Sequence, residues 1–119
     1  MKKDDRLYLL HIAECLSRIA EYTAAGEAEF FADRKTQDAV LRNLQTLAES
    51  TQHLSDRFKE THPAINWRGI AGFRNVLVHE YLGINLMRVW EIVRRDLPHL
   101  LEQIDACLDS SQAGGGVRE

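Results

Sequence analysis

Apolar residues recur along this chain at the three- and four-residue spacing of a helix face. Leu9, Ile12, Leu16 and Ile19 form the first stripe and predict a helix from about Asp5 to Ala24. Asp4 and Asp5 suit the positive N-terminal end of its dipole, and Gly26 supplies a stop. The segment GEAEFFADRK, residues 26–35, reads as a connection or a short helical turn anchored by Phe30 and Phe31. Val40, Leu44, Leu47, Thr51, Leu54 and Phe58 make an almost unbroken second stripe, which predicts one helix from about Thr36 to Thr61. Pro63 ends it, because the residue before a proline disfavours the α region. Asn66 can cap a third helix from Trp67 to about His79. Gly83 lies in the next turn, and Asn85 can cap a fourth helix. Its stripe is Leu86, Val89, Trp90, Val93, Leu97, Leu100, Leu101, Ile104 and Leu108. Pro98 lies inside that stripe and should kink the helix, since the amide that would bond to Arg94 is missing. The tail from Ser110, SSQAGGGVRE, reads as disordered.

Four amphipathic helices joined by short connections predict an all-α domain, an antiparallel four-helix up-and-down bundle. The expected division is one helical domain over residues 1–109 and a tail over 110–119. The 119 residues fit one domain, 45% of them are hydrophobic, and only two prolines interrupt the chain. Cys15 and Cys107 show no C-x-x-C spacing and fall in helical runs, so they read as small core residues in a reducing cytoplasm. The opening MKKDDRLYLL has no long apolar run of the kind that begins a secretory signal, and no stretch approaches the roughly 20 apolar residues of a membrane span.

Charge changes the picture only in its distribution. The net of −3 excludes a uniformly basic nucleic-acid binder. From Asn66 to Arg95, however, five arginines face two glutamates, whereas from Asp96 to Glu119 one arginine faces five acids. A local positive field around the third helix could attract phosphate while the remaining surface stays acidic. Solvated surface charge accounts equally well for the same five arginines.

The stretch RNVLVHEY, residues 74–81, lies inside this basic segment. On a helix Arg74, Val78 and Tyr81 share a stripe, and Asn75 and His79 share the next. The first stripe runs back through the apolar Ala71, Ile70 and Trp67, so Arg74 and Tyr81 sit at the edge of a buried face, bordered by Asn75 and His79. In a structural reading Arg74 caps carbonyls or pairs with an acid such as Glu49. His79 then answers the helix dipole, and Tyr81 is a core tyrosine with its hydroxyl at the surface. In a chemical reading the group cleaves RNA by internal transesterification. Histidine, with an ordinary pKa of about 6.5, can move the 2′-hydroxyl and 5′-oxygen protons. Arginine can stabilise the phosphorane oxygens. A two-fold dimer would bring two such motifs to one cleft. His11, His53, His62 and His99 share no spacing with each other or with the cysteines that would make a zinc site. Trp67 and Trp90 fall on apolar stripes and read as core or dimer interface.

The R-x-x-x-x-H pattern with a polar residue directly after the arginine resembles the signature of the HEPN superfamily of ribonucleases. The longer run INWRGIAGFRNVLVHEYLGINLMRVWEIVRRDLPHL resembles its HepT-like toxin branch, with R-x-x-x-x-H-x-Y present as Arg74, His79 and Tyr81. The likeness extends to RNLQTLAES and loosely to the first helix. It implies a bundle that dimerises around the motif helix, and a metal-independent endoribonuclease without cofactor. It implies the toxin of a type VII toxin–antitoxin system, in the cytoplasm, within a hetero-oligomeric complex, acting on RNA and not on DNA or membranes. Transfer RNA is a target the likeness suggests. The implied partner is an MntA-like nucleotidyltransferase antitoxin that transfers AMP from ATP to Tyr81. Bulk and phosphate charge two residues from His79 would repel an RNA phosphate. By the same resemblance Arg74 is the phosphate clamp, His79 the general acid and base, and Asn75 a supporting residue. Arg68, Arg88, Arg94 and Arg95 could guide RNA. A non-catalytic HEPN module that helps position the substrate of a nucleotidyltransferase would keep the bundle and dimer without needing the Arg–His pair. A plain helical scaffold would leave the polar group unexplained.

Overall fold

The computed structural model describes the backbone of residues 2–78 and 85–118, and the side chains of residues 2–75 and 85–110. Among them the regular structure is entirely helical. In chain order it comprises α1 (Lys3–Tyr22), α2 (Glu27–Ala32), α3 (Arg34–Gln52), α4 (Asp56–Glu60), α5 (Trp67–Val78) and α6 (Leu86–Glu91). A π-helical turn (Ile92–Asp96) and α7 (Leu97–Arg118) follow α6 without a break. The four expected helices are therefore present as α1, α3, α5 and the composite last helix, with α2 and α4 as short connectors.

The starts and stops follow local chemistry. Gly26 takes φ +98°, a left-handed conformation that suits glycine, and leads into α2. Asp33 caps α3 by accepting from the Lys35 amide. Asn66 and Asn85 cap α5 and α6 as expected, accepting from the amides of Gly69 at 2.9 Å and Arg88 at 3.1 Å. Phe30 is fully buried and packs on Phe31 and Trp90, which seats α2 in the core.

The second expected helix is not continuous. Its stripe residues, from Val40 to Phe58, are all buried, but the backbone breaks after Gln52. The turn tightens there, with the His53 amide bonded to the Ser50 carbonyl and that of Leu54 to Thr51. The cause lies on α1. Asp5, only 3% exposed, accepts from the Ser55 amide at 2.8 Å and from the Ser55 hydroxyl at 2.7 Å. Ser55 Oγ in turn accepts from the Phe58 amide and caps α4. Burial pushes the Asp5 carboxyl up, but the Ser55 bonds, with the Lys2 amide and charge, outweigh it and hold it below its ordinary value. Apolar spacing alone cannot reveal this break, because it carries on across it.

Asp5–Ser55, Tyr8–His53 and His11–Ser50 pair in opposite chain order, so α1 and α3 run antiparallel. The α5 helix packs on the other flank of α3, and α7 closes against α1. Leu9, Ile12, Leu16, Leu44, Leu47, Ile92 and Ile104 are among the fully buried side chains between them. Cys15 and Cys107 are free and buried, and desolvation raises both thiols.

Pro98 is accommodated by the π-turn that ends just before it. The Leu97 amide bonds to the Ile92 carbonyl, five residues back. The wider turn puts Ile92 and Leu97 on one buried line, and Ile92, absent from the expected stripe, is fully buried. The helical backbone continues through residues 110–118, where a disordered tail is expected from composition. Its glycines at 114–116 each lower helix propensity by about 1 kcal/mol relative to alanine. Among the described residues no helix is long and apolar enough to cross a membrane.

Candidate active site and nucleic-acid interface

The motif helix α5 is oriented by its apolar residues. Ile70 and Phe73 are buried, and Trp67 lies edge-on to Phe58 while its indole N–H donates to the His62 carbonyl at 3.1 Å. With that face turned inward, Arg74 and Asn75 are both exposed. Arg74 Nη1 donates to Gln52 Oε1, at the C-terminal end of α3, at 3.3 Å. An acid on α3 such as Glu49 is the partner the sequence suggests. Glu49 instead accepts from Gln45 one helical turn earlier. The difference matters chemically, because a neutral amide orients the guanidinium without cancelling its charge. His79 and Tyr81 lie outside the described residues, so the expected convergence of four polar side chains is visible only as its Arg74–Asn75 half.

The other expected RNA contacts separate into different surroundings. Arg68, Arg88, Arg94 and Arg95 are all exposed. Arg88 makes an ion pair with Glu91 at 3.5 Å, about half exposed on both sides and worth a few tenths of a kcal/mol. Arg88 and Arg95 line a cleft of about 510 Å³ between α5 and the last helix, whereas Arg68 and Arg94 do not.

Three of the remaining histidines have local partners. His11 shares a hydrogen bond with Ser50, His53 stacks on Tyr8, and His62 stacks on Phe58 while its Nδ1 lies 2.9 Å from the Phe58 carbonyl. His99 is different: it lines the same cleft as Arg88 and Arg95. Sequence spacing offers no reason to single it out, since its neighbours there come from α5 and its cap and from a stretch of the last helix between Arg88 and Gln103. Gln52 was equally invisible, being an ordinary polar residue at the end of an amphipathic helix. Among the described residues no group of three or more His, Cys, Asp or Glu side chains could hold a metal ion.

Residues 12–107 match the family model described as Ribonuclease HepT-like, which takes in Arg74, His79 and Tyr81. The chain belongs to the HepT-like ribonuclease family. It is 39% identical over 101 residues to "Probable ribonuclease HepT" of Thermococcus cleftensis, covering 84% of this chain and 92% of that one. It is 36% identical over 105 residues to "Putative RNase MJ0127" of Methanocaldococcus jannaschii, covering 87% of each. A third relative, "Gamma-glutamylcyclotransferase and putative RNase MJ0434" of the same archaeon, is 38% identical over 105 residues. That match covers 87% of this chain but only 47% of the relative, so the HepT-like chain spans about half of it. No solved structure matches significantly. The activity named for this family is ribonuclease, and the all-α bundle expected for a HEPN-like domain is the observed fold.

Proposed function

We propose that this protein is a metal-independent endoribonuclease, the toxin of a type VII toxin–antitoxin pair. The observation that carries the reading is Arg74, exposed on the motif helix and held by a neutral side chain, in a chain of the HepT-like family. His79 removes the proton from a 2′-hydroxyl. The 2′-oxygen attacks the adjacent phosphorus, and Arg74 stabilises the extra negative charge on the phosphorane oxygens. The 5′-oxygen leaves with a proton delivered by a histidine, and a 2′,3′-cyclic phosphate remains. Asn75 supports the phosphate or the imidazole. A two-fold dimer around α5 supplies two Arg–His pairs, so one histidine acts as base and the other as acid. The partner is an MntA-like nucleotidyltransferase that moves AMP from ATP to the Tyr81 oxygen with release of pyrophosphate, placing bulk and negative charge beside His79.

Incubation of total RNA with the purified, unmodified protein in excess EDTA tests the chemistry. Cleavage by the wild type and none by a folded His79→Ala variant is expected. Equal cleavage by both would remove His79 from the mechanism. No cleavage by either would favour the non-catalytic module. For the regulation, intact mass after incubation with the partner and ATP should rise by one AMP group in the wild type and stay unchanged in Tyr81→Phe.

A further inference from the structure

The cleft between α5 and the last helix is built from more than surface arginines. Ile70, Phe73 and Leu100, each under 10% exposed, form its apolar base. Arg88, Arg95 and His99 bring three nitrogen-rich side chains to one wall. Two side-chain amides flank them with their orientations set. Asn66 uses its carbonyl oxygen to cap Gly69, which turns its NH2 group outward from that bond. Gln103 spends its NH2 group on the Ala64 carbonyl at 3.0 Å, which leaves its own carbonyl oxygen as an acceptor. Gly69 makes room for this arrangement, since a Cβ there would lie 2.5 Å from Asn66 Nδ2.

We infer that this cleft is a subsite for one nucleotide of single-stranded RNA flanking the cut, with Arg95 and Arg88 on its phosphate and the Asn66 and Gln103 amides on its sugar or base. The inference rests on the ribonuclease reading above and extends it. The volume, about 510 Å³, lies within the roughly 300–1,000 Å³ range of small-ligand sites. Glu91 and Asp96 also line the cleft, so its charge is nearly balanced. That suits a phosphodiester, which carries one charge among neutral polar groups, better than a phosphate monoester. Among the described residues Arg95 makes no ion pair, whereas Arg88 is shared with Glu91. Phe73, at one end of the α5 wall, immediately precedes Arg74 in the chain. Arg74 itself lies outside the cleft and meets Gln52 on α3, so the subsite takes a nucleotide beside the cut and not the scissile phosphate.

Arg94 and Arg95 provide the test, being adjacent, equally charged and both exposed, with only Arg95 in the cleft. The probe is a fluorescein-labelled tetranucleotide of 2′-O-methyl RNA, which lacks the nucleophile and cannot be cut. Its anisotropy is titrated with the full chain. Arg95→Gln should weaken binding about tenfold and lower the salt dependence by roughly one released counterion. Arg94→Gln should change binding less than twofold, and Arg95→Lys should recover only part of the loss because the planar fork is gone. Equal losses for Arg94→Gln and Arg95→Gln would mean diffuse attraction and overturn the subsite. So would failure of the wild type to bind, or unchanged probe binding with a changed oligomeric state in Arg95→Gln. Because the probe needs no chemistry, Arg95-dependent binding by a protein that cuts no RNA would retire the catalytic reading and keep the subsite.

Discussion

Two flanks of the bundle treat polar side chains in opposite ways. On the α1–α3 flank, Asp5 is buried and both its oxygens receive hydrogen bonds from Ser55, so its charge is spent within the fold. Around α5 and the last helix, Arg74, Arg88 and Arg95 are exposed; Arg74 meets the neutral Gln52 amide on α3, and Arg88 and Arg95 share their cleft with the exposed Glu91 and Asp96. Satisfaction of a buried charge marks architecture. Exposed arginines beside a cleft, held only by a neutral amide or by solvent-exposed acids, mark a surface that can take an anion. Substitutions on the first flank should therefore change stability and spare RNA, and substitutions on the second should do the reverse.

The largest effect is expected at Arg74. Arg74→Ala should lower the rate of RNA cleavage by about 10²–10³, the usual cost of losing a donor aimed at developing charge. Its thermal midpoint should be unchanged, because the side chain is exposed. A large drop in stability would move Arg74 to the architectural class and break the comparison.

Asp5→Ala should come next. It leaves the Ser55 amide and hydroxyl without their acceptor and should cost about 2 kcal/mol in chemical denaturation. Binding of uncleavable RNA by the folded fraction should be unaffected. The carboxyl also carries a pH signature. Folding lowers its pKa from the ordinary 3.8, so its contribution is complete above that value and is lost as the pH falls through the lower folded value. Acid unfolding of Asp5→Asn should depend less steeply on pH below about 4 than that of the wild type.

Gln52 sharpens the other side. If its neutrality keeps Arg74 available, Gln52→Glu should reduce kcat/KM about tenfold at low salt, and more than Gln52→Ala does. The opposite order would show that the bond serves only to hold the guanidinium. The smallest effect belongs to Gly69→Ala. A gain of about 1 kcal/mol in helix propensity is set against displacement of the Asn66 cap, worth about the same. Stability should stay within about 0.5 kcal/mol of wild type, while RNA binding falls because Asn66 is turned from the cleft wall.

Helix faces, caps and the motif were legible in the chain because each depends on residues a few positions apart. Asn66 and Asn85 cap where expected, Phe30 anchors α2, and the stripe from Val40 to Phe58 is buried throughout. The break after Gln52 was hidden, since its cause, Asp5, is fifty residues away from Ser55. Pro98 announced a disturbance but not its form, because a helix can answer a missing amide by bending or by widening a turn.

The sequence by itself determined the helical class, the motif Arg74, His79 and Tyr81 with its family, and the basic character of residues 66–95. All of these rest on residue identity and short spacing. Only the tertiary structure decided that Arg74 meets Gln52 and not Glu49, that Asp5 divides the second helix, and that Arg95 and His99 share a cleft while Arg94 does not. Those outcomes depend on which helix faces meet, and packing of the whole bundle sets that.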